Sequence, residues 1–383
     1  MQYAVQGESR LEPLYNERHG ARLNMVTFNK SVSRMLRDDR RLLRFSPLLL
    51  ASVMYRGAVI LRNRFYETGV FHARKMTCKV ISVGNIAVGG TGKTPMVIML
   101  AGMLKEHGYR PAILSRGYGG KRKGRAGVVS DGHDILMGPD EAGDEPLLIA
   151  QTLRDVPVII GKERSIAGKL AVERFGVDVL ILDDGFQHRR LSRDIDIVLL
   201  DSERPFGNGF TLPRGGLREP RSALQRADIV ILTSTKGGVS GTGSAVEMSQ
   251  IPVFRGRRSP GDLVRGRAKG ICSFEDLKGK KVCAFSGIAE PDSFRKIVVP
   301  LCGEVAQFVP FPDHHVYTPG DVEYIRKTCR DCSAQVMLTT EKDGIKLARF
   351  PDFFRDLYRL RIKMEIIPSS LKFEECILAQ LEL

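Results

Sequence analysis

Six short, uninterrupted apolar runs recur between residues 78 and 234, each separated from the next by enough chain for a helix or a wide turn. They read CKVISVGN (78–85), AILS (112–115), VPVIIG (156–161), VDVLILDD (177–184), IDIVLLD (195–201) and ADIVILTS (227–234). Strands that are apolar on both sides cannot face water, so they belong in a parallel sheet with helices over both faces. KVCAFSGI (281–288), AQVMLTT (334–340) and YRLRIKMEII (358–367) repeat the pattern in a second, smaller α/β unit. Between the two, from Thr235 to about Leu263, the chain turns Gly/Ser-rich and then basic with proline, which reads as a boundary. The expected organisation is an extension over 1–40, a basic amphipathic segment over 41–75, a core over 76–250 and a C-terminal unit over 251–383.

The first run feeds the stretch VGNIAVGGTGKTPMV, Val83 to Val97. It has the spacing of the G-x-x-x-x-G-K-[ST] loop, in which each position has a physical task. Backbone N–H groups of Ala87, Val88, Gly89, Gly90, Thr91 and Gly92 can line an anion nest, and the following helix adds the positive end of its dipole. Lys93 supplies charge for the terminal phosphates of a nucleotide, and Thr94 a hydroxyl for Mg²⁺. Ala87 stands where the pattern has its first glycine, a departure that matters only if the backbone there needs a positive φ. Pro95 falls near the first helical turn, where a missing N–H costs little. A phosphate loop of this kind also needs a carboxylate at the end of a neighbouring strand to manage the cation. VDVLILDDGFQH places Asp183 and Asp184 there, with Gln187 and His188 behind them to orient a metal-bound water. That edge is where open α/β sheets bind their ligands, although one of the two acids can equally cap the next turn. The fold class is therefore read as α/β: a P-loop NTPase-like, mostly parallel sheet with helices on both faces, plus a smaller C-terminal α/β domain.

Of the 383 residues, 43% are hydrophobic and 27% charged, a balance that excludes a chain disordered throughout. The net charge of +15 predicts an anionic partner: nucleic acid, an anionic membrane surface or a phosphorylated substrate. Aromatic residues are only 7% and do not interleave with basic ones, which argues against nucleic acid. Seven cysteines, an odd number without scaffold spacing, suit a reducing cytoplasm. Cys329 and Cys332 of CRDC lack a second pair or a nearby histidine and read as ordinary helix residues. The first thirty residues have no apolar run ending in small residues, so no signal peptide is expected. The run FSPLLLASVMY is too short to span a bilayer, which takes about 20 residues. From Ser31 to Lys75 there are ten Lys or Arg against three acids, and Arg56, Arg62 and Arg64 border a wide apolar stripe. Either an interfacial membrane helix or an amphipathic helix packed on the protein's own core fits that pattern.

Nine separated strings carry a resemblance. They are RNRFYETG, ISVGNIAVGGTGKTP, LSRGYGG, GDEPLLIA, DDGFQHRRLSRDIDIVLLD, GNGFTLPRGGLREP, FSGIAEPDSF, FPDHHVYT and LTTEKDGIKL. In this order, from about Phe45 to near the C-terminus, they resemble the tetraacyldisaccharide 4′-kinases, whose members also carry a non-glycine residue at the Ala87 position. The resemblance implies transfer of the γ-phosphoryl group of ATP, with Mg²⁺, to the 4′-hydroxyl of a tetraacylated glucosamine disaccharide 1-phosphate, giving lipid IVA. It further implies a peripheral protein, taken as a monomer, on the cytoplasmic face of the inner membrane, with the active site between core and C-terminal domain. Residues 1–40 fall outside it.

Carried over position by position, the resemblance implies that Lys93 contacts the β- and γ-phosphates. Thr94, Asp183, Asp184 and Gln187 then surround the metal. It also implies a catalytic pair, Asp144 of GDE and His314, the first histidine of DHH. A sugar hydroxyl is a poor nucleophile, so a carboxylate that accepts its proton helps late in the transfer, and an imidazole can orient that carboxylate. The plainer alternatives are a helix N-cap for Asp144 and a satisfied histidine between domains for His314. Arg116, Asn208, Arg218 and Glu219 are expected to bind substrate. Arg214 and Arg218 can neutralise charge on the transferring group, or merely form a loop salt bridge with Glu219. Lys121, Arg122, Lys123 and Arg125 join Arg116 on a glycine-rich loop suited to a lipid phosphate or anionic headgroups, or to solvent. Ser115, His188 and Asp201 have no nucleophile-elbow spacing, which excludes a hydrolase of that type.

Two other functions fit parts of the pattern. A P-loop GTPase or ATPase switch, or a metallochaperone-type NTPase, calls for Asn-Lys-x-Asp after a later strand, and ILTSTKGG (231–238) offers only the lysine. A nucleotide-gated membrane-binding scaffold makes no use of Asp144.

Overall fold

The computed structural model describes residues 47–122, 124–234, 251–266 and 270–382. The extension over 1–40, Lys123 and the Gly/Ser-rich stretch 235–250 lie outside the described residues. Seven strands come first: β1 (Lys79–Gly84), β2 (Pro111–Ser115), β3 (Gly127–Ser130), β4 (Val158–Ile160), β5 (Val179–Asp183), β6 (Ile195–Asp201) and β7 (Ile229–Ser234). Six follow: β8 (Val253–Arg265), β9 (Ile271–Cys272), β10 (Lys281–Ser286), β11 (Glu304–Pro310), β12 (Val336–Thr340) and β13 (Leu357–Ile367). Each of the nine apolar runs read as strands forms one of these strands.

All belong to a single sheet in the order β11-β10-β12-β13-β8-β7-β6-β1-β5-β2-β4-β3, with β9 beside β8. From β7 to β4 the strands are parallel, and β3 closes the edge antiparallel to β4. Alternation along each strand then feeds both faces. Ile81, Val83, Val179 and Ile181 join one buried cluster, while Val80, Leu180 and Leu182 join another. Helix α1 (Pro47–Glu67) lies outside this frame, whereas α2 (Lys93–Glu106), α3 (Asp144–Thr152) and α4 (Arg164–Phe175) connect strands within it. The C-terminal strands carry α5 (Pro291–Val298), α6 (Pro319–Asp331), α7 (Glu341–Leu347) and α8 (Ser370–Glu382).

One stretch departs from the sequence reading. Residues 253–263, taken as part of a boundary, form most of the long strand β8. It pairs parallel with β7 on one side and antiparallel with β13 on the other, so it stitches the two sets of strands together. Composition hid it because Gly256, Arg257, Arg258 and Pro260 are poor strand formers, and here cross-strand pairing overrides that weak preference. The register shifts near Pro260, between Leu360 and Ile362, as expected where proline cannot donate to the ladder. Because β13 runs against β8, strand direction reverses there. Yet Arg258 of β8 still reaches Gly90 in the loop after β1, and His314 after β11 and Lys342 after β12 reach Asp144 and Glu145 at the start of α3. The β8–β13 ribbon therefore folds the second set of strands back over the first.

Helix α1 packs by its polar residues. Ser52 Oγ donates to the Thr211 carbonyl (2.8 Å), Tyr55 to the Arg218 carbonyl (3.0 Å) and Asn63 to Glu219 Oε2 (2.9 Å). Of its apolar residues Val59 is buried, but most face outward, with Leu50, Met54 and Leu61 exposed by 66%, 68% and 54%. No helix among the described residues is long and apolar enough to cross a membrane.

Candidate active site

The loop after β1 closes around the start of α2. Asn85 Nδ2 donates to Thr91 Oγ1 (3.2 Å), and Val88 N–H to the Gly216 carbonyl (2.7 Å). Ala87 pairs antiparallel with Leu217 and is not among the described residues with positive φ. An alanine therefore costs nothing at the departure noted in the motif. Gly92, by contrast, sits at φ 85° as the N-cap of α2, and a side chain there would collide with Met364. Lys93 is the first residue of α2 and Thr94 the second, so ammonium, hydroxyl and helix dipole converge on one spot. From the far side Arg258, nearly buried, donates to the Gly90 carbonyl (2.7 Å) and pairs with Glu290 at 3.3 Å.

Beside this cradle β5 delivers its two acids. Asp184, at φ 54°, pairs with Lys93 at 3.5 Å and accepts from Arg218 Nη1 at 3.0 and 2.9 Å. Burial raises its pKa, but the charges of Lys93 and Arg218 outweigh burial and hold it below the usual carboxylate range. Asp183 is buried, accepts from Ser115 Oγ at 3.2 Å through Oδ2, and has no partner at Oδ1. Burial first, then the charges of Glu145 and Asp184, push its pKa up to about 7. Gln187 Nε2 donates to the Asn85 carbonyl (2.9 Å), while Gln187 Oε1 and Asn85 Oδ1 are buried without donors. Three acceptor oxygens without a donor at the end of two adjacent strands suit a hard cation and its waters. Among the described residues there is no cluster of three or more His, Cys, Asp or Glu able to hold a metal. Mg²⁺ fits that sparse set, because it is commonly held by one or two carboxylates together with substrate phosphates.

The second group gathers around Asp144, and the cap alternative fails: Gly143 is the N-cap of α3 and no side chain caps it. Asp144 Oδ2 instead lies 3.4 Å from His314 Nδ1 and 3.0 Å from Lys346 Nζ. Burial raises the Asp144 pKa, and the His314 hydrogen bond with the Lys346 charge lowers it further, so the group stays a carboxylate at neutral pH. His314 has φ 55°, a region that non-glycine residues enter rarely and mostly where surroundings compel it. The Tyr118 ring sits beside its imidazole, with centroids 5.5 Å apart. Lys342 donates to Glu145 Oε1 (3.0 Å) and lies 3.4 Å from His314 Nε2. Its pKa is raised, since Glu145, Asp313 and Asp144 outweigh the lowering by burial. Charge from Glu145 reaches both Lys93 and Asp183, so this group adjoins the phosphate loop.

The sequence reading missed the two lysines and Glu145. Their one visible signal is Lys342 and Lys346 at i, i+4 directly after the strand β12. It also passed over Arg164, buried at the start of α4, which donates to the Gly161 carbonyl at 2.9 Å. Burial lowers its pKa to about 10 despite Asp183 and Asp184, and burial with surrounding arginines lowers that of His188 to about 4.

Among the expected substrate residues, Arg218 reaches the site through Asp184. Arg116 is exposed just after β2, at the same sheet edge. Asn208 spends both ends of its amide on its own loop, accepting from Phe210 N–H and donating to the Arg214 carbonyl. Arg214 stacks 3.8 Å over the Phe210 ring. Glu219 is fully buried, pairing with Arg226 at 2.7 Å and Arg62 at 3.4 Å. Among the described residues, neither Asn208 nor Glu219 bonds to Lys93, Asp144 or Asp184. Both build the loop that presents Arg218. The seven cysteines are free thiols.

The family model for tetraacyldisaccharide-1-P 4′-kinase matches residues 45–382. A tetraacyldisaccharide 4′-kinase of Syntrophus aciditrophicus is 49% identical over 86% of this chain and 91% of its own length. Another, from Desulfatibacillum aliphaticivorans, is 41% identical over 92% of this chain and 97% of its own. Among solved structures, the "apo" form of LpxK from Aquifex aeolicus in complex with ATP is similar with a TM-score of 0.70. It is 35% identical, covering 87% of this chain and 98% of that one. With the loop, the paired acids and the Asp–His pair in place on this fold, the match over nearly the whole described chain is decisive. The chain belongs to the tetraacyldisaccharide-1-phosphate 4′-kinase family.

Proposed function

We propose that the chain acts as a tetraacyldisaccharide 4′-kinase, moving the γ-phosphoryl group of ATP onto the 4′-hydroxyl of an acylated glucosamine disaccharide 1-phosphate. The loop from Ala87 to Thr94 cradles the polyphosphate, and Lys93 neutralises its terminal charge. Thr94, Asp183, Asp184 and Gln187 would hold Mg²⁺, which would supply positive charge to stabilise the transferring phosphates. Asp144 accepts the proton of the attacking hydroxyl as the new O–P bond forms and the bond to ADP breaks. His314 orients that carboxylate, and Arg218 balances the acids around the phosphates. Residues 76–250 form the nucleotide core and 251–383 the smaller unit that completes the site. The observation that carries this reading is Asp144 held as a carboxylate by His314 and Lys346 beside a lysine-tipped phosphate loop. The test is ³²P transfer from ATP to the lipid acceptor. Asp144→Ala is expected to lower kcat about 10²–10⁴-fold. Unchanged transfer by that variant removes Asp144 from the role, and absence of transfer by the natural protein removes the kinase reading.

The outward apolar face of α1 and the net charge of +15 support a peripheral seat on an anionic membrane, here the cytoplasmic face of the inner membrane. The protein works there as a monomer, with α1 bringing the lipid's headgroup level with Arg116 and Arg218.

A further inference from the structure

We propose that Lys342 and Lys346 are positioning residues for the transfer: Lys346 holds Asp144 as a carboxylate, and Lys342 fixes the tautomer of His314. The proposal rests on the reading of Asp144 as proton acceptor and goes beyond it. Both lysines stand on α7, one turn apart, and so face the same way. The start of that helix is pinned. Thr340 Oγ1 donates to Asp343 Oδ2 (2.7 Å) and accepts from Asp343 N–H (3.0 Å), while Gly287 N–H donates to Asp343 Oδ2 at 2.9 Å. Lys342 and Lys346 side chains retain only 16% and 9% of their exposure, which leaves little freedom to swing away.

An ammonium group has three donors and no acceptor. Lys342 Nζ lies 3.4 Å from His314 Nε2, nearer than Asp313 Oδ2 at 3.9 Å; paired with the ammonium, that nitrogen accepts and the ring proton sits on Nδ1. Nδ1 then donates to Asp144 Oδ2 at 3.4 Å, long for a hydrogen bond. Lys346 Nζ approaches the same oxygen to 3.0 Å. Asp144 Oδ1 takes no hydrogen bond among the described residues and is left for the sugar hydroxyl. The groups facing Asp144 are Glu145 from its own helix, and Lys342, Lys346, His314 and Tyr317 from the C-terminal half. Lys342 is engaged mainly by Glu145 at 3.0 Å and Asp313 at 3.7 Å, so Lys346 is the cation in direct contact with the carboxylate.

The experiment measures kcat and KM across pH on the full chain. For Lys346→Met, kcat is expected to fall about 10–10²-fold with both KM values within about threefold. The acid limb of kcat should rise by about 1–3 pH units, the effect of removing an opposite charge within 4–6 Å. Lys346→Arg should recover most of the rate. In an Asp144→Asn background, Lys346→Met should have no further effect. Lys342→Met should lower kcat and erase the Nδ1–H pattern of His314 in ¹⁵N spectra. An unmoved acid limb in Lys346→Met, or losses that multiply with those of Asp144→Asn, overturns the proposal. If Lys346→Met fails to fold in a thermal melt, Lys346→Gln is read the same way. An Asp144→Asn enzyme that keeps the natural rate refutes the proton-acceptor reading itself, whereas an inactive one with an unmoved limb in Lys346→Met refutes only the lysine roles.

Discussion

Asp183 is the residue at which the proposed cation would be coupled to stability. Its pKa is raised from 3.8 to about 7 in the folded chain. A carboxyl group that binds its proton more tightly when folded stabilises the fold below its unfolded pKa, and that contribution is lost as pH rises through the folded value. The nucleotide-free protein should therefore lose stability between about pH 4 and 7 through this group, and Mg²⁺ should restore it by replacing the proton. Asp183→Asn keeps the shape without the charge. Its melting temperature without nucleotide is expected to vary less over that range than that of the natural protein, and Mg²⁺–ATP should stabilise it far less at pH 8. Equal pH dependence of the two proteins in thermal melts contradicts this account. The pair of acids was legible in the sequence as the end of an apolar run. Their division of labour was not, because Ser115 and Arg218, which separate the two environments, come from distant segments.

Helix α1 bears on a choice that its pattern left open. A helix packed on the protein's own core should bury its apolar stripe, but α1 buries Ser52, Val59 and Asn63 and leaves Leu50, Met54 and Leu61 in water. Surface apolar residues in such density mark a binding face. Changing Leu50, Met54 and Leu61 together to glutamate is expected to cut binding to anionic vesicles at least tenfold in flotation assays. The same change should alter stability by only about 0.5 kcal/mol per site, as usual for exposed positions. Asn63→Ala acts oppositely. It removes a donor from fully buried Glu219 and should cost about 1–3 kcal/mol in denaturant unfolding. Periodicity revealed a two-sided helix, but which side meets the body depends on Thr211 and Glu219, more than 150 residues away.

At the scale of the molecule, β8 makes two sets of strands into one sheet. Gly256 lies near its start, where an added side chain would come within 2.8 Å of Met364 and 2.9 Å of Ile231, on the two sides of the seam. Gly256→Val is expected to cost about 1–3 kcal/mol through overpacking. Probes in residues 76–234 and in residues 270–382 should then melt together at a lower temperature. Separate transitions would mean that the seam does not couple them. The same ribbon brings Arg258 against the phosphate loop and the α7 lysines against Asp144, so its loss should also raise KM for ATP.

The strands, the phosphate loop and its acids were determined by the sequence itself, because each rests on local periodicity and on backbone chemistry within a few residues. The strand β8 and the pairing of Asp144 with His314, Lys342 and Lys346 were decided by the tertiary structure alone. The Asp144 and Glu145 contacts join segments about 170 to 200 residues apart, and a charge acts on a neighbour only once the folded ribbon has brought the two within a few ångströms.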